Sequence, residues 1–327
     1  MVARTERDDV TGVRGPSGVA ARLSQAGAAP TVSFELYPPR TEAGMTALKA
    51  TVERLVETRP DFVSVTYGAS GTTRETSREV VRWVRATTGA PVVAHLTCVG
   101  APWDDVRRVA EGFLEDGVRD LLALRGDPPR GVPQWQPHPD GLASGSELVA
   151  RLRELAGELD EPLSIGVAAT PSAAWTAPPA PPVEDGDDIR ALLAKETAGA
   201  DYAITQVFFD PQVYGEYVAA ARAAGVTIPI VPGIVPLADP ARLRRLQEIS
   251  GVPVPPSVLV RLDTTEGEER SQVGLRLGVG LVRRVLEAGA PGVHLYTFNQ
   301  HAAVSQLLGG LHLRRRTAGH APGAQAR

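Results

Sequence analysis

The sequence predicts an α/β fold of the (β/α)8 TIM barrel class, a single domain with flexible ends, and three features point to it. Eight short apolar runs recur along the 327 residues. Most intervals between them carry apolar residues at helical spacing, with Arg and Glu on the outer face. Eight strand-then-helix units make a parallel sheet, and eight is the number that closes into a barrel. A doubly wound open sheet is the runner-up, and no glycine-rich dinucleotide fingerprint supports it.

In chain order the runs are TVSFELY, DFVSVTYG, PVVAHLTC, DLLALRGD, LSIGVAAT, YAITQVFF, IPIVPGIV and GVHLYTF. Between them, MTALKATVERLVE, TSREVVRWVRATT, WDDVRRVAEGFLED and ELVARLRELAGEL read as amphipathic helices. The stretch 240–291 is longer than one connection needs, so an added helix is expected before SQVGLRLGVGLVRRVLEAG. Residues 1–28 read as a flexible tail, 29–312 as the barrel, and 313–327 as a flexible basic tail. The segment GVAATPSAAWTAPPAPPVEDGDD starts as a strand and breaks into Ala, Pro and acidic residues, where such folds grip a ligand. It reads as a lid that closes over substrate.

Composition narrows the function. Net charge is −4 and aromatic residues make up 5% of the chain, which gives neither a basic footprint nor stacking platforms for nucleic acid. The first residues have no apolar signal core and no run of eighteen apolar residues occurs, so a cytoplasmic protein without membrane contact is expected. Cys98 is the single cysteine and follows an apolar run, which suits burial in a reducing compartment. Only Lys49 and Lys195 are lysines among 34 basic residues.

Side chains alternate between the faces of a strand, so parity sorts the polar residues. Ser33, Glu35 and Tyr37 share a face; so do Ser64 with Thr66, His95 with Thr97, Arg125 with Asp127, and Gln206 with Ile204 and Phe208. The polar members stand toward the C-terminal ends of their strands, where barrels build chemistry. Burying Glu35, His95, Asp127 or Gln206 unpaired would cost about 1–3 kcal/mol each, so a ligand or a shared network is expected. Glu35, ahead of LYPPR, suits a general acid with a raised pKa, or else an ion pair with Arg40. Asp127 in LRGDPP reads as a ligand-facing carboxylate or an ordinary turn residue, and Gly126 allows close backbone approach. His95 lacks ligand-spaced neighbours for a metal. Gln206 offers a donor and an acceptor to a heterocycle, or bridges strands.

The segments SFELYPPR, PDFVSVTYGASGTTRE, AHLTCVG, LLALRGDPP, AGADYAITQVFFD, IPIVPGI and HLYTFN together resemble the 5,10-methylenetetrahydrofolate reductase family, in order and spacing, from about residue 31 to 310. The resemblance implies a barrel that binds FAD at its C-terminal mouth, takes hydride from NADH or NADPH, and reduces methylenetetrahydrofolate to 5-methyltetrahydrofolate for methionine biosynthesis. It implies that Glu35 protonates N10 of the folate and that Asp127 lies near flavin and folate. It further implies flavin contacts from Thr66, His95, Arg125, Gly126, Asp127, Asp188 and Lys195, and substrate contacts from Glu35, Gln206 and Tyr296. A homo-oligomer is compatible with it. This sequence departs from the family pattern after the fifth run, where Thr170, Ala174, Ala191 and Ala194 stand at polar or aromatic positions, and at Pro240. The departures leave open a flavin-independent or repurposed folate enzyme, or a non-catalytic folate-binding partner protein.

Overall fold

The computed structural model describes residues 18–25, 29–67, 71–127, 136–171 and 188–311. Among them nine parallel strands form one sheet in the order β7-β6-β5-β4-β3-β2-β1-β9-β8. They are β1 (Thr31–Leu36), β2 (Phe62–Val65), β3 (Val92–Thr97), β4 (Asp120–Leu124), β5 (Ser164–Ala169), β6 (Tyr202–Thr205), β7 (Ile230–Val231), β8 (Gly233–Ile234) and β9 (Gly292–Tyr296). Pro232 separates β7 from β8. Because proline offers no N–H to a ladder, the seventh barrel strand is split there, pairing with β6 before the break and with β9 after it. The two ends of the sheet are thereby joined and the barrel closes.

Helices fill the intervals as the spacing predicts: α2 (Glu42–Val56), α3 (Gly71–Thr88), α4 (Trp103–Glu115), α5 (Gly145–Glu158), α6 (Asp188–Thr197) and α7 (Pro211–Ala223). The stretch 240–291 holds three, α8 (Pro240–Ser250), α9 (Pro256–Asp263) and α10 (Gly267–Glu287), and α11 (His301–Leu311) follows the last strand. Thr41, Ser144, Asp210 and Asp239 accept backbone N–H bonds at helix starts, and Pro240 occupies the first turn of α8.

Strand alternation divides the core. Phe34, Leu36, Val63, Val65, Leu96, Leu121, Ile165 and Val293 face outward beneath the helices, each such side chain contributing about 1.5–3 kcal/mol by burial. The opposite parity fills the barrel, with Phe62, Val93, Leu122, Tyr202, Ile204 and Val231 forming its floor. A short helix, α1 (Gly18–Leu23), completes that floor with Val19, Ala20 and Leu23. The N–H of Val19 donates to Asp120 Oδ1 at 2.7 Å and that of Ala20 to Ser164 Oγ at 3.2 Å. These six residues lie inside the stretch expected to be a tail, and the side chains of Val19, Ala20 and Leu23 are buried. Residues 1–17, 26–28, 68–70, 128–135, 172–187 with Ala174, and 312–327 lie outside the described residues. No described helix is long and apolar enough to cross a membrane.

Candidate active site

With the floor filled by apolar side chains, inward polar residues collect toward the C-terminal mouth. Glu35 is 6% exposed. Its Oε2 lies 3.7 Å from His95 Nε2 on β3 and 3.8 Å from His294 Nε2 on β9. His294 is fully buried, and both its ring nitrogens meet a hydroxyl: Nδ1 lies 2.8 Å from Ser33 Oγ and Nε2 3.3 Å from Ser64 Oγ. The register explains this convergence, since Ser33 pairs with His294, and Glu35 with both Ser64 and Tyr296. Phe62 stacks on the imidazole at 5.8 Å and Tyr296 meets it edge-on at 5.6 Å. The ring is held on all sides.

Parity therefore correctly put Glu35, His95, Ser33 and Ser64 inside, but the expectation of a raised Glu35 pKa is overturned. Burial does push the carboxyl up; the close approach of His294, the charges of His95 and His294, and the neighbouring Tyr37 hydroxyl outweigh it and hold Glu35 below the usual carboxylate range. Burial holds His95 down to about 4, so it is uncharged at neutral pH. The approach of His294 is then the pull that persists. The loop after β1 works as its two prolines suggest: Tyr37 stacks parallel to Phe298 at 6.2 Å and reaches back to Glu35.

Other expected residues stand on the same rim, just beyond the strand ends. Thr66 Oγ1 donates to Leu36 O at 3.3 Å. Arg125 is half-buried, and its carbonyl accepts from Val99 N at 2.8 Å and from the Cys98 thiol at 3.6 Å. Cys98 is buried, which pushes its thiol up to about 11. Gly126 has φ +88, and a Cβ there would come within 2.6 Å of Val99 Cγ1, so the position needs glycine. Asp127 is exposed. The expectation that it is buried in the network is corrected, because β4 ends three residues earlier at Leu124.

Gln206 is half-buried one residue past β6, where its Oε1 accepts from Val207 N at 2.9 Å; its amide donors have no partner among the described residues. Phe208, expected on the same face, instead packs outside the barrel against Tyr214 at 5.8 Å, because alternation lapses where the strand stops. Tyr296 is a cross-brace: its hydroxyl donates to Thr205 O at 2.8 Å, tying β9 to β6. Burial and the nearby Glu35 charge raise its phenol well above the ordinary value.

The β5–α6 corner differs. Lys195 Nζ donates to Ala168 O at 2.8 Å and Asp188 Oδ2 accepts from Thr170 N at 2.9 Å. Burial raises Asp188, with the Lys195 charge and the Thr170 bond opposing. Toward the flavin expected from the resemblance, the site thus divides. Thr66, His95, Gly126 and Asp127 stand where one side of a ring system could rest, whereas Lys195 and Asp188 bond β5 and Ala191 and Ala194 add no polar side chain. Lys195, the lysine of this corner, thus already bonds the main chain of β5. Among the described residues no cluster of three His, Cys, Asp or Glu could hold a metal ion.

His294 is the residue that sequence reasoning missed. It lies in HLYTFN, two positions before Tyr296, and parity applied to that last run would have turned it inward.

Comparison with known proteins agrees with this geometry. The chain is 34% identical over 271 residues to the 5,10-methylenetetrahydrofolate reductase of Pectobacterium carotovorum and 33% identical to that of Escherichia coli, covering 82% of this chain and 86% of each relative. It is 32% identical over 285 residues to methylenetetrahydrofolate reductase (NADH) 1 of Zea mays, spanning about half, 47%, of that longer protein. A structure of a Clostridium thermocellum protein that binds two copies of 5-methyl-5,6,7,8-tetrahydrofolic acid superposes with a TM-score of 0.55 at 14% identity, covering 86% of this chain and 94% of that one; it attests the barrel. The methylenetetrahydrofolate reductase family model matches residues 21–312, and the chain belongs to that family.

Proposed function

We propose that the protein reduces 5,10-methylenetetrahydrofolate to 5-methyltetrahydrofolate with hydride from NADH or NADPH, and that Glu35 is the general acid. The observation that carries this reading is a buried carboxylate between two imidazoles at the mouth of a barrel whose family reduces this folate. Reduction requires the five-membered ring of the folate to open. A proton delivered to N10 lets the C–N bond break with its electrons leaving to that nitrogen, and the N5 lone pair forms the iminium that accepts hydride. Glu35 rests ionised, so its acid role needs a proton supplied at the moment of reaction. A pterin seated over the mouth would exclude water and add to the desolvation that already pushes this carboxyl upward. Gln206, with its amide donors, is assigned to the folate heterocycle. Asp127, at the solvent edge, is assigned to the outer face of the bound rings, and Thr66, Arg125 and Gly126 to the adjoining rim.

When bound, FAD would relay the hydride. The commitment of Lys195 and Asp188 to backbone groups favours a second reading of the cofactor, in which flavin is held weakly or dispensed with and the nicotinamide delivers hydride directly. Purified protein given methylenetetrahydrofolate should oxidise NADH or NADPH and release methyltetrahydrofolate in equal amount. Nicotinamide oxidation that ignores the folate, or none at all, would sink the reductase assignment. The absorbance spectrum of the same sample decides the flavin: a yellow protein with bound flavin supports FAD, and a colourless active one supports direct transfer.

A further inference from the structure

Glu35 has two imidazole neighbours at nearly equal distance, and they are not equivalent. His95 Nε2 has no hydrogen-bond partner among the described residues beyond its approach to Glu35. His294 is anchored at both nitrogens. A serine hydroxyl has one proton to give. Ser33 Oγ lies 3.2 Å from Val293 O, which can only accept, and 2.8 Å from His294 Nδ1. With the Ser33 proton on the carbonyl, its oxygen is left to accept from His294 Nδ1–H. The imidazole is then protonated on the side away from Glu35, and its Nε2, which Ser64 Oγ meets at 3.3 Å, is the nitrogen that faces the carboxylate. Nε2 and Oε2 are 3.8 Å apart, and with the imidazole pinned it is the Glu35 carboxyl that must turn for the proton to pass.

We propose that Glu35 and His294 hold one proton between them, with Nδ1–H locked on Ser33, and that this shared proton is the one delivered to the folate. The proposal rests on the reductase reading above and extends it by naming His294 as a positioning residue that acts through Glu35. In the resting pair the proton sits on His294 Nε2 and Glu35 is a carboxylate. As Glu35 passes a proton to the ring nitrogen of the folate, it takes the one on Nε2, leaving neutral His294 and ionised Glu35. The C–N bond electrons go to the protonated nitrogen, hydride from the nicotinamide adds to the iminium carbon, and solvent returns one proton to the pair. The groups facing this pair are His95 on β3, Tyr37 after β1, Tyr296 on β9, and the hydroxyls of Ser33 and Ser64. None of the others carries a second acid: burial keeps His95 neutral, and both phenols are raised far above neutral pH.

Two measurements on the full-length chain test this. Nitrogen-15 NMR of the histidine rings, with His294→Asn to assign the signal, should show the His294 proton that Ser33 holds on Nδ1 and the exchanging one on Nε2. A neutral His294 that carries its proton on Nε2 would overturn the proposal, whatever the protein catalyses. His294→Asn keeps an amide where Nδ1 meets Ser33 and deletes Nε2. It should lower kcat on the order of 100-fold with little change in folate KM, and move the alkaline limb of the kcat profile about one pH unit toward acid. His294→Gln, which can bond but not titrate, should not rescue it. Wild-type kcat in His294→Asn, or a lowered kcat with the alkaline limb unmoved, would contradict the shared proton; absence of turnover in the wild type would instead count against the reductase reading.

Discussion

The two sides of the barrel mouth use their polar residues in opposite ways. On the β1–β3–β9 side, Glu35, His95, His294, Ser33 and Ser64 face one another across strands, so their interactions end in a chemical group that faces the cavity. At the β5–α6 corner, Lys195 donates to the backbone of β5 and Asp188 accepts from the Thr170 N–H just past it, so these bonds tie α6 to the end of that strand. A carboxylate held between imidazoles is poised to exchange a proton. An ammonium bonded to a main-chain carbonyl is a brace, and using it for a ligand would mean replacing that bond. The comparison teaches that a lysine standing at a family position can also serve as a brace, and that its bond to Ala168 O has to be weighed beside any ligand.

The largest expected effect that sharpens this contrast is on stability against acid. His95 has a folded-state pKa of about 4 against an ordinary 6.5. As pH falls through 6.5 the unfolded chain binds this proton first, so stability is lost between about 6.5 and 4 and then levels off for this group. The gap sets a ceiling of roughly 3 kcal/mol. Glu35, held low, acts in a separate window: its stabilisation is present above 4.5 and is lost as pH falls further. Denaturant unfolding of wild type and His95→Gln at a series of pH values should show the slope above pH 4 flattened in the variant; equal slopes would remove His95 from the buried network. A smaller effect is expected at the other corner. Lys195→Met, which removes the bond to Ala168 O, should cost on the order of 1 kcal/mol and leave turnover and any bound flavin unchanged. A variant that loses flavin while folding normally would show that the lysine serves the cofactor after all.

Much of this was legible in the sequence because a strand's period is fixed by geometry. Alternation alone turned Glu35, Ser33, Ser64 and His95 inward, and the recurrence of apolar runs gave the barrel. The rest failed where alternation does not apply. Asp127 and Phe208 lie past the ends of β4 and β6, where the chain is free to turn. The six-residue helix α1 is too short to show a period, and only its contact with the barrel floor reveals it. The depressed pKa of Glu35 depends on His294, which the chain brings alongside only when β9 closes the barrel against β1. Local sequence shows burial, which raises a carboxyl; the partner that reverses the sign is a matter of topology.

The account stands on Glu35 as the acid. Replacement by Gln keeps the size and the hydrogen-bonding capacity and removes the proton. Measured as the rate of methylenetetrahydrofolate reduction under saturating nicotinamide, alongside folate affinity by titration, Glu35→Gln is expected to reduce turnover on the order of 100- to 10,000-fold while folate still binds. Turnover at the wild-type rate in a variant that binds folate normally would contradict it.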